Sequence, residues 1–128
     1  MIKQETCAGI VPARQQDGHW EVLLVLHVKG EYWGFPKGHY EDENPKNAAE
    51  RELLEETSLE VDSFLPLNPI HERYQFEREG TPIDKSVTYF FASVKGVEKI
   101  TFPEEVLEIR WVKQQEAFAL ASFLGTKE

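Results

Sequence analysis

The chain has 128 residues, 23 acidic against 14 basic, and a formal net charge of −9. That length supports one domain with a substantial core and leaves little for a second, so residues 1–128 are expected to form a single unit. The charge argues against a nucleic-acid partner held by a basic surface. An acidic protein that handles phosphate must bring positive charge as metal or as a few focused Lys and Arg. Cys7 is the only cysteine, so no intramolecular disulfide can form. Met1-Ile2-Lys3-Gln4-Glu5-Thr6 lacks an apolar signal region, and the most hydrophobic run, residues 20–28, is far too short to span a bilayer. A cytoplasmic location without a membrane partner is the expectation. Oligomeric state leaves no trace in the sequence.

Residues 6–13 and 20–28 are rich in β-branched and apolar side chains, and Gln15-Gln16-Asp17-Gly18 between them has turn chemistry; they are expected to pair as strands. Tyr32-Trp33-Gly34-Phe35-Pro36-Lys37-Gly38 holds two glycines and a proline and reads as a shaped loop. Asn44 as N-cap and Pro45 at the first helical position predict a helix running to about Thr57. Residues 59–67 read as a short strand or extended connection, and residues 70–78 and 85–94 as two strands joined by a mobile link, 79–84. A strand over 106–112 and a terminal helix over 114–123 complete the pattern, which predicts a mixed sheet flanked by helices. Trp20, Phe90 and Trp111 read as core.

Within the central helix, Glu52, Glu55 and Glu56 fall in one arc of roughly 100°. Like charges at these spacings repel by a few tenths of a kcal/mol per pair, on the order of the i,i+4 effect. Solvent against a charged helix face is one reading. A hard cation is the other, since Mg²⁺ takes oxygen ligands and completes its shell with water and substrate phosphates.

Gly38, Glu43 and the run Arg51-Glu52-Leu53-Leu54-Glu55-Glu56-Thr57-Ser58-Leu59 resemble the Nudix box, the signature of the Nudix hydrolases. Seven residues separate Glu43 from Arg51, as in that pattern. Two positions depart from it. Four residues rather than five separate Gly38 from Glu43, and Ser58 replaces a glycine, which costs about 1 kcal/mol if the position is left-handed. Outside the box, Trp33 to His39, the run Lys85-Ser86-Val87-Thr88-Tyr89-Phe90, and Glu105 six residues before Trp111 are similar to the asymmetrical diadenosine tetraphosphate hydrolases.

The resemblance implies an α+β fold, an α/β/α sandwich in which a mixed sheet is flanked by the box helix and a C-terminal helix. It implies Glu52, Glu55 and Glu56 as ligands of Mg²⁺, with Mn²⁺ as an alternative, and Arg51 as the residue that orients them. Glu43 is then an outer ligand or the partner of Arg51. Glu105 is the candidate fourth carboxylate, with Glu104 and Glu108 as neighbours in competition. Glu52 or Glu105 would take the proton from water. Lys37, His39 and Lys85 would face the polyphosphate, His39 as general acid or as hydrogen-bond donor. Tyr74 or Phe76 is expected to stack the base, with Phe123 as an opposing wall.

The implied reaction is metal-assisted hydrolysis of a phosphoanhydride in a small nucleotide, diadenosine tetraphosphate giving ATP and AMP. Other family substrates share the same helix: nucleoside triphosphates, RNA 5′ ends and inositol pyrophosphates. A non-catalytic nucleotide-binding domain and a plain cation-binding module are the readings from other classes.

Overall fold

Two long strands carry the fold. In the computed structural model, which describes residues 1–116, β1 (Lys3–Gln16) and β7 (Thr81–Lys95) run parallel, from Lys3 opposite Ile83 to Ala13 opposite Ser93. Residues 7–13 of β1 are buried on both faces, as a central parallel strand requires. Parallel neighbours need a crossover, and the elements between β1 and β7 in sequence supply it.

β2 (His19–His27) folds back on the end of β1, from Ala13 opposite Val22 to Gln16 opposite His19. The two residues of the turn, Asp17 and Gly18, have φ of 51° and 85°, the positive values that Asp-Gly hairpin turns use. β3 (Tyr32–Gly34) pairs with β2, and β4 (Lys37–His39) pairs with β1 over Cys7 to Gly9. The stretch expected as a loop therefore holds two short strands. Its glycines and proline signal turns, but the open edges of β2 and β1 recruit the residues between them.

α1 (Pro45–Thr57) has the expected bounds. The Asn44 side chain accepts hydrogen bonds from the amides of Lys46 (2.9 Å) and Asn47 (3.4 Å), and Pro45 occupies the first turn. Ser58 ends the helix in the left-handed region at φ 68°, its amide donating to the Leu54 carbonyl at 2.9 Å.

β5 (Glu60–Phe64) pairs with the end of β7 and β6 (Ile70–Arg78) with its beginning. The link expected over 79–84 contracts to the two-residue turn Glu79 and Gly80, because Thr81 to Asp84 already lie in β7 against β6. β8 (Val106–Lys113) pairs with β2, giving one eight-stranded mixed sheet whose main path is β3-β2-β1-β7-β5.

Alternation along the strands divides the core between two faces. Ile10 and Leu23 pack with Ala49 and Leu53 of α1, while their neighbours Val11 and Leu24 pack with Val87 and Tyr89 on the opposite face. The result is the expected α+β arrangement, a mixed sheet with a helix against it. Phe90 and Trp111 are half-buried against the helix-side cluster. Trp20 departs from expectation: it is 38% exposed, because it enters β2 at the end of the sheet, opposite Gln15. Residues 114–116 begin a helical turn, and the remainder of the terminal helix expected over 114–123, Phe123 included, lies outside the described residues. Among the described residues no helix is long and apolar enough to cross a membrane.

β4 lies so close to β1 that Gly9 has no room for a side chain. A Cβ there would collide with the Pro36 carbonyl oxygen and stand 2.7 Å from the Lys37 Cβ. Gly9→Ala should destabilise the protein by about 1–3 kcal/mol, the usual range for overpacking, read as a lowered urea midpoint at unchanged slope. An unaltered midpoint would mean that β4 is not held at this distance.

Candidate active site

Of the glutamates in α1, Glu52 and Glu56 turn inward. Glu52 is 8% exposed and Glu56 6%, on the same face as Ala49 and Leu53, whereas the Glu55 carboxyl is 41% exposed. The cause lies in β4. Gly38 passes directly over Glu52, and a Cβ on Gly38 would overlap the Glu52 carboxylate. The Lys37 amide donates to Glu56 Oε1 at 3.3 Å. Any side chain at 38 would have to displace the Glu52 carboxylate from this position.

Arg51 holds the outer side of the group. Its Nε and Nη2 donate to the two oxygens of Glu43 (2.9 and 2.6 Å), its Nη1 to Glu52 Oε2 (2.8 Å) and Glu55 Oε2 (3.4 Å), and its Nη2 to the His39 carbonyl (3.3 Å). Of the two roles open to Glu43, the geometry shows the partner of Arg51. That guanidinium holds the Glu43 carboxyl below the usual range.

The inner carboxylates are shifted the other way. Burial raises the Glu56 pKa to about 8, and the neighbouring Glu52 charge adds to the shift. Glu52 is raised by burial and then by Glu55, with Arg51 opposing. Acidic side chains whose ionisation burial disfavours suit a hard divalent ion, and carboxylate oxygens are its preferred donors. Among the described residues no three His, Cys, Asp or Glu side chains already converge as a ligand set. Glu52 is turned onto Arg51 and Glu56 onto the Lys37 amide.

These residues form one wall of a cleft of about 1140 Å³. Glu104 and Glu105 close one side of it, and Glu108 lies outside, on β8, bonded to Arg110. The segment bearing Glu105 is tied down at both ends. The Lys99 amide donates to the Thr57 carbonyl (2.8 Å), Ser58 Oγ to the Lys99 carbonyl (3.2 Å), and the Val28 amide to the Glu105 carbonyl (2.9 Å).

The opposite wall is the sheet. Lys37, His39, Lys85, Tyr74 and Phe76 all reach the cleft, and the Tyr74 and Phe76 rings lie 6.0 Å apart. Lys37 Nζ donates to the Tyr32 hydroxyl at 2.7 Å. Burial first, and then the Lys37 charge, lower the Lys85 pKa. His27 is buried beneath this rim, stacked on Tyr32 with ring centroids 4.8 Å apart and its Nε2 3.2 Å from the Phe35 carbonyl; burial lowers its pKa to about 3, so it stays neutral. The cleft thus gathers Lys37, His39, Glu52, Glu55, Glu56, Tyr74, Phe76, Lys85 and Glu105, whereas Arg51 and Glu43 stand behind the carboxylates and Phe123 lies outside the described residues.

A family model for the NUDIX domain matches residues 3–126. The chain belongs to the NUDIX domain family. That family is one of pyrophosphohydrolases, which generally use a divalent metal. An Ap4A hydrolase from C. elegans, solved as a binary complex, superposes with a TM-score of 0.67 at 24% identity, over 92% of this chain and 86% of that one. The NUDIX domain of NrtR from Shewanella oneidensis, solved with ADP ribose, gives 0.68 at 17% identity, over 91% and 77%. At such identities the likeness is one of fold. Protein 111R of Invertebrate iridescent virus 3, whose name calls it a hydrolase, is 55% identical over 41 residues. That match spans 30% of this chain and 24% of the viral protein, so it covers about a quarter of that relative's length.

Sequence reasoning missed Arg78 and Tyr32, which line this NUDIX cleft, and Glu5, which holds Arg78. Arg78 continues the alternate positions of Tyr74 and Phe76 along β6, and that period was the available signal. Glu5 had none, since its partner is 73 residues away.

The Glu56 shift has a consequence for stability. Its folded pKa, about 8, exceeds the unfolded value, so between pH 4.5 and 8 the native protein binds the extra proton, and its stability falls as pH rises. In metal-free protein, wild type should lose stability relative to Glu56→Gln across this window, by up to about 1.4 kcal/mol per pH unit. Urea denaturation of both proteins across that range measures it, and a constant difference would show that Glu56 ionises normally.

Proposed function

We propose that this NUDIX chain hydrolyses a phosphoanhydride in a nucleoside polyphosphate, with diadenosine tetraphosphate cut asymmetrically to ATP and AMP as the favoured reaction. The observation that carries the reading is the division of one cleft into a carboxylate wall on α1 and a cationic wall on the sheet, with Tyr74 and Phe76 beside the cations. Residues 1–128 act in this reading as one catalytic domain.

Glu52, Glu55 and Glu56, with Glu105 across the cleft, would hold Mg²⁺ or Mn²⁺. When bound, the ion neutralises polyphosphate charge and makes water a better nucleophile. Arg51 keeps Glu52 and Glu55 in place through the hydrogen bonds it donates to them. Glu52 or Glu105 accepts the proton of the attacking water, whose oxygen bonds to phosphorus as the phosphoanhydride P–O bond breaks. Lys37, His39 and Lys85 stabilise charge on the other phosphates and on the leaving nucleotide. The base stacks on Tyr74 or Phe76, worth about 1–3 kcal/mol.

The similarity outside the box, at residues 33–39 and 85–90, supports the choice of diadenosine tetraphosphate over other nucleotides. Incubation with Mg²⁺ and a panel of dinucleoside polyphosphates, nucleoside triphosphates and capped RNA tests it. ATP with AMP from the tetraphosphate is the expected result; two ADP would contradict the asymmetric cut, and no turnover of any member would refute the enzyme. Glu56→Gln should lower kcat by at least about 100-fold, while the circular-dichroism spectrum stays that of the wild type. Full activity in that variant would remove Glu56 from the metal site.

A further inference from the structure

The cationic wall contains an arrangement that the proposed reaction does not use. Strand register places Tyr74, Lys85 and Glu5 side by side across β6, β7 and β1. The Glu5 carboxyl is 8% exposed and meets two basic side chains at once. Arg78 reaches it from the last residue of β6, with Nη1 donating to Oε2 at 2.6 Å and Nη2 to Oε1 at 3.3 Å. His39 brings its Nε2 to within 3.0 Å of the same Oε1 from β4. The Arg78 guanidinium also stands 5.3 Å from the centre of the Phe76 ring. Both Arg78 and His39 line the cleft.

On this wall Glu5 and Glu72 are set against Arg78, Lys37 and Lys85, with His39 beside them. Among the described residues Lys37 and Lys85 form no ion pair with a carboxylate. This wall therefore carries surplus positive charge. Arg78 binds the Glu5 carboxylate with two of the five N–H donors of a guanidinium, which leaves three for another anion. Its fork suits phosphate oxygens, and bracing by a carboxylate removes the rotamer freedom that a long side chain otherwise loses on binding. The pair joins two strands rather than two loops, so its position is set by the sheet.

We propose that Arg78, braced by Glu5 and lying against Phe76, is an anion-binding residue that takes a phosphate next to the stacked base, with Glu5 as its positioning residue. This rests on the nucleoside-polyphosphate reading of the same cleft. It adds a phosphate contact on the side remote from the α1 carboxylates.

Binding of two probes in Mg²⁺ buffer tests it: the β,γ-methylene analogue of ATP, which resists hydrolysis between the β and γ phosphates, and adenosine, which has the base without phosphate. Arg78→Met should weaken the analogue by about tenfold or more, as loss of a charge-assisted pair does, and leave adenosine within about twofold of wild type. Arg78→Lys keeps the charge without the fork and should fall between. Glu5→Gln should weaken the analogue in the wild-type background yet have little further effect in Arg78→Met, because it acts through Arg78. With turned-over substrate the same variants should raise KM and leave kcat nearly unchanged, a split that general loosening of the fold would not produce. Unchanged analogue affinity in Arg78→Met overturns the proposal, as does an equal loss for adenosine, which would make Arg78 part of the base platform. Failure of wild type to bind the analogue overturns it too. Turnover of diadenosine tetraphosphate with an unaltered KM in Arg78→Met sinks this inference alone, whereas absence of turnover across the substrate panel sinks the reading beneath it.

Discussion

The parallel ladder between β1 and β7 is the constraint from which the remaining structure hangs. Each strand is long enough to serve two partners on its outer edge. β1 carries β4 on its first half and β2 on its second, and β7 carries β6 and then β5. Splitting each edge in this way opens the sheet where the short partners diverge. The cleft lies on that opening, floored by β1 and β7 and walled by β4 and β6. A parallel pair also requires that the chain return to its starting end before pairing. α1 is the helical part of that return, which sets it against β1 and β4 with its N-cap just past the end of β4.

The electrostatics follow from that placement. A helix docked with Leu53 in the core and β4 drawn tightly over its side must bury whatever flanks Leu53, and Glu52 and Glu56 flank it. Buried carboxylates are costly unless paired. Arg51 addresses Glu52 and the Lys37 amide addresses Glu56, each from one direction only. The cleft side is left to whatever cation enters. Cationic side chains stand instead on β4, β6 and β7, so that both signs line one volume. A polyphosphate with a divalent ion is complementary to that arrangement, whereas either component alone would meet one wall of like charge.

Local signals made the start of α1 legible, Asn44 as cap and Pro45 in the first turn, and the end expected at about Thr57 is where the helix stops. The stripe of Glu52, Glu55 and Glu56 was visible for the same reason, being held within one helix. What depended on distant pairing was not. Residues 32–38 looked like a loop because glycine and proline report turns and say nothing about an open edge nearby. Residues 81–84 looked like a link because Pro82 masked a strand whose partners lie in both β6 and β1. Trp20 looked like core because hydrophobicity does not reveal the end of a sheet. The burial of Glu52 and Glu56 depends on how closely β4 approaches, and the bond from Glu5 to Arg78 joins residues 73 apart. No window of sequence contains either fact.

The departure at Ser58 shows how such a cost can be offset by tertiary structure. A left-handed serine is strained by about 1 kcal/mol relative to glycine. Its hydroxyl, which glycine lacks, donates to the Lys99 carbonyl, next to the bond from the Lys99 amide to Thr57. Thr101 adds a third link, from its Oγ1 to the Glu55 carbonyl at 3.2 Å. The segment leading to Glu105 is therefore fastened to the last turn of the helix that bears Glu52, Glu55 and Glu56. Its far end is fastened to the residue that follows β2, through the bond from the Val28 amide to the Glu105 carbonyl. A carboxylate arriving from 50 residues further along the chain can face the helical set only if its own segment is fixed to that helix. Ser58 supplies part of that fixation, so the residue that weakens the helix cap locally strengthens the relation between the two sources of acidic side chains.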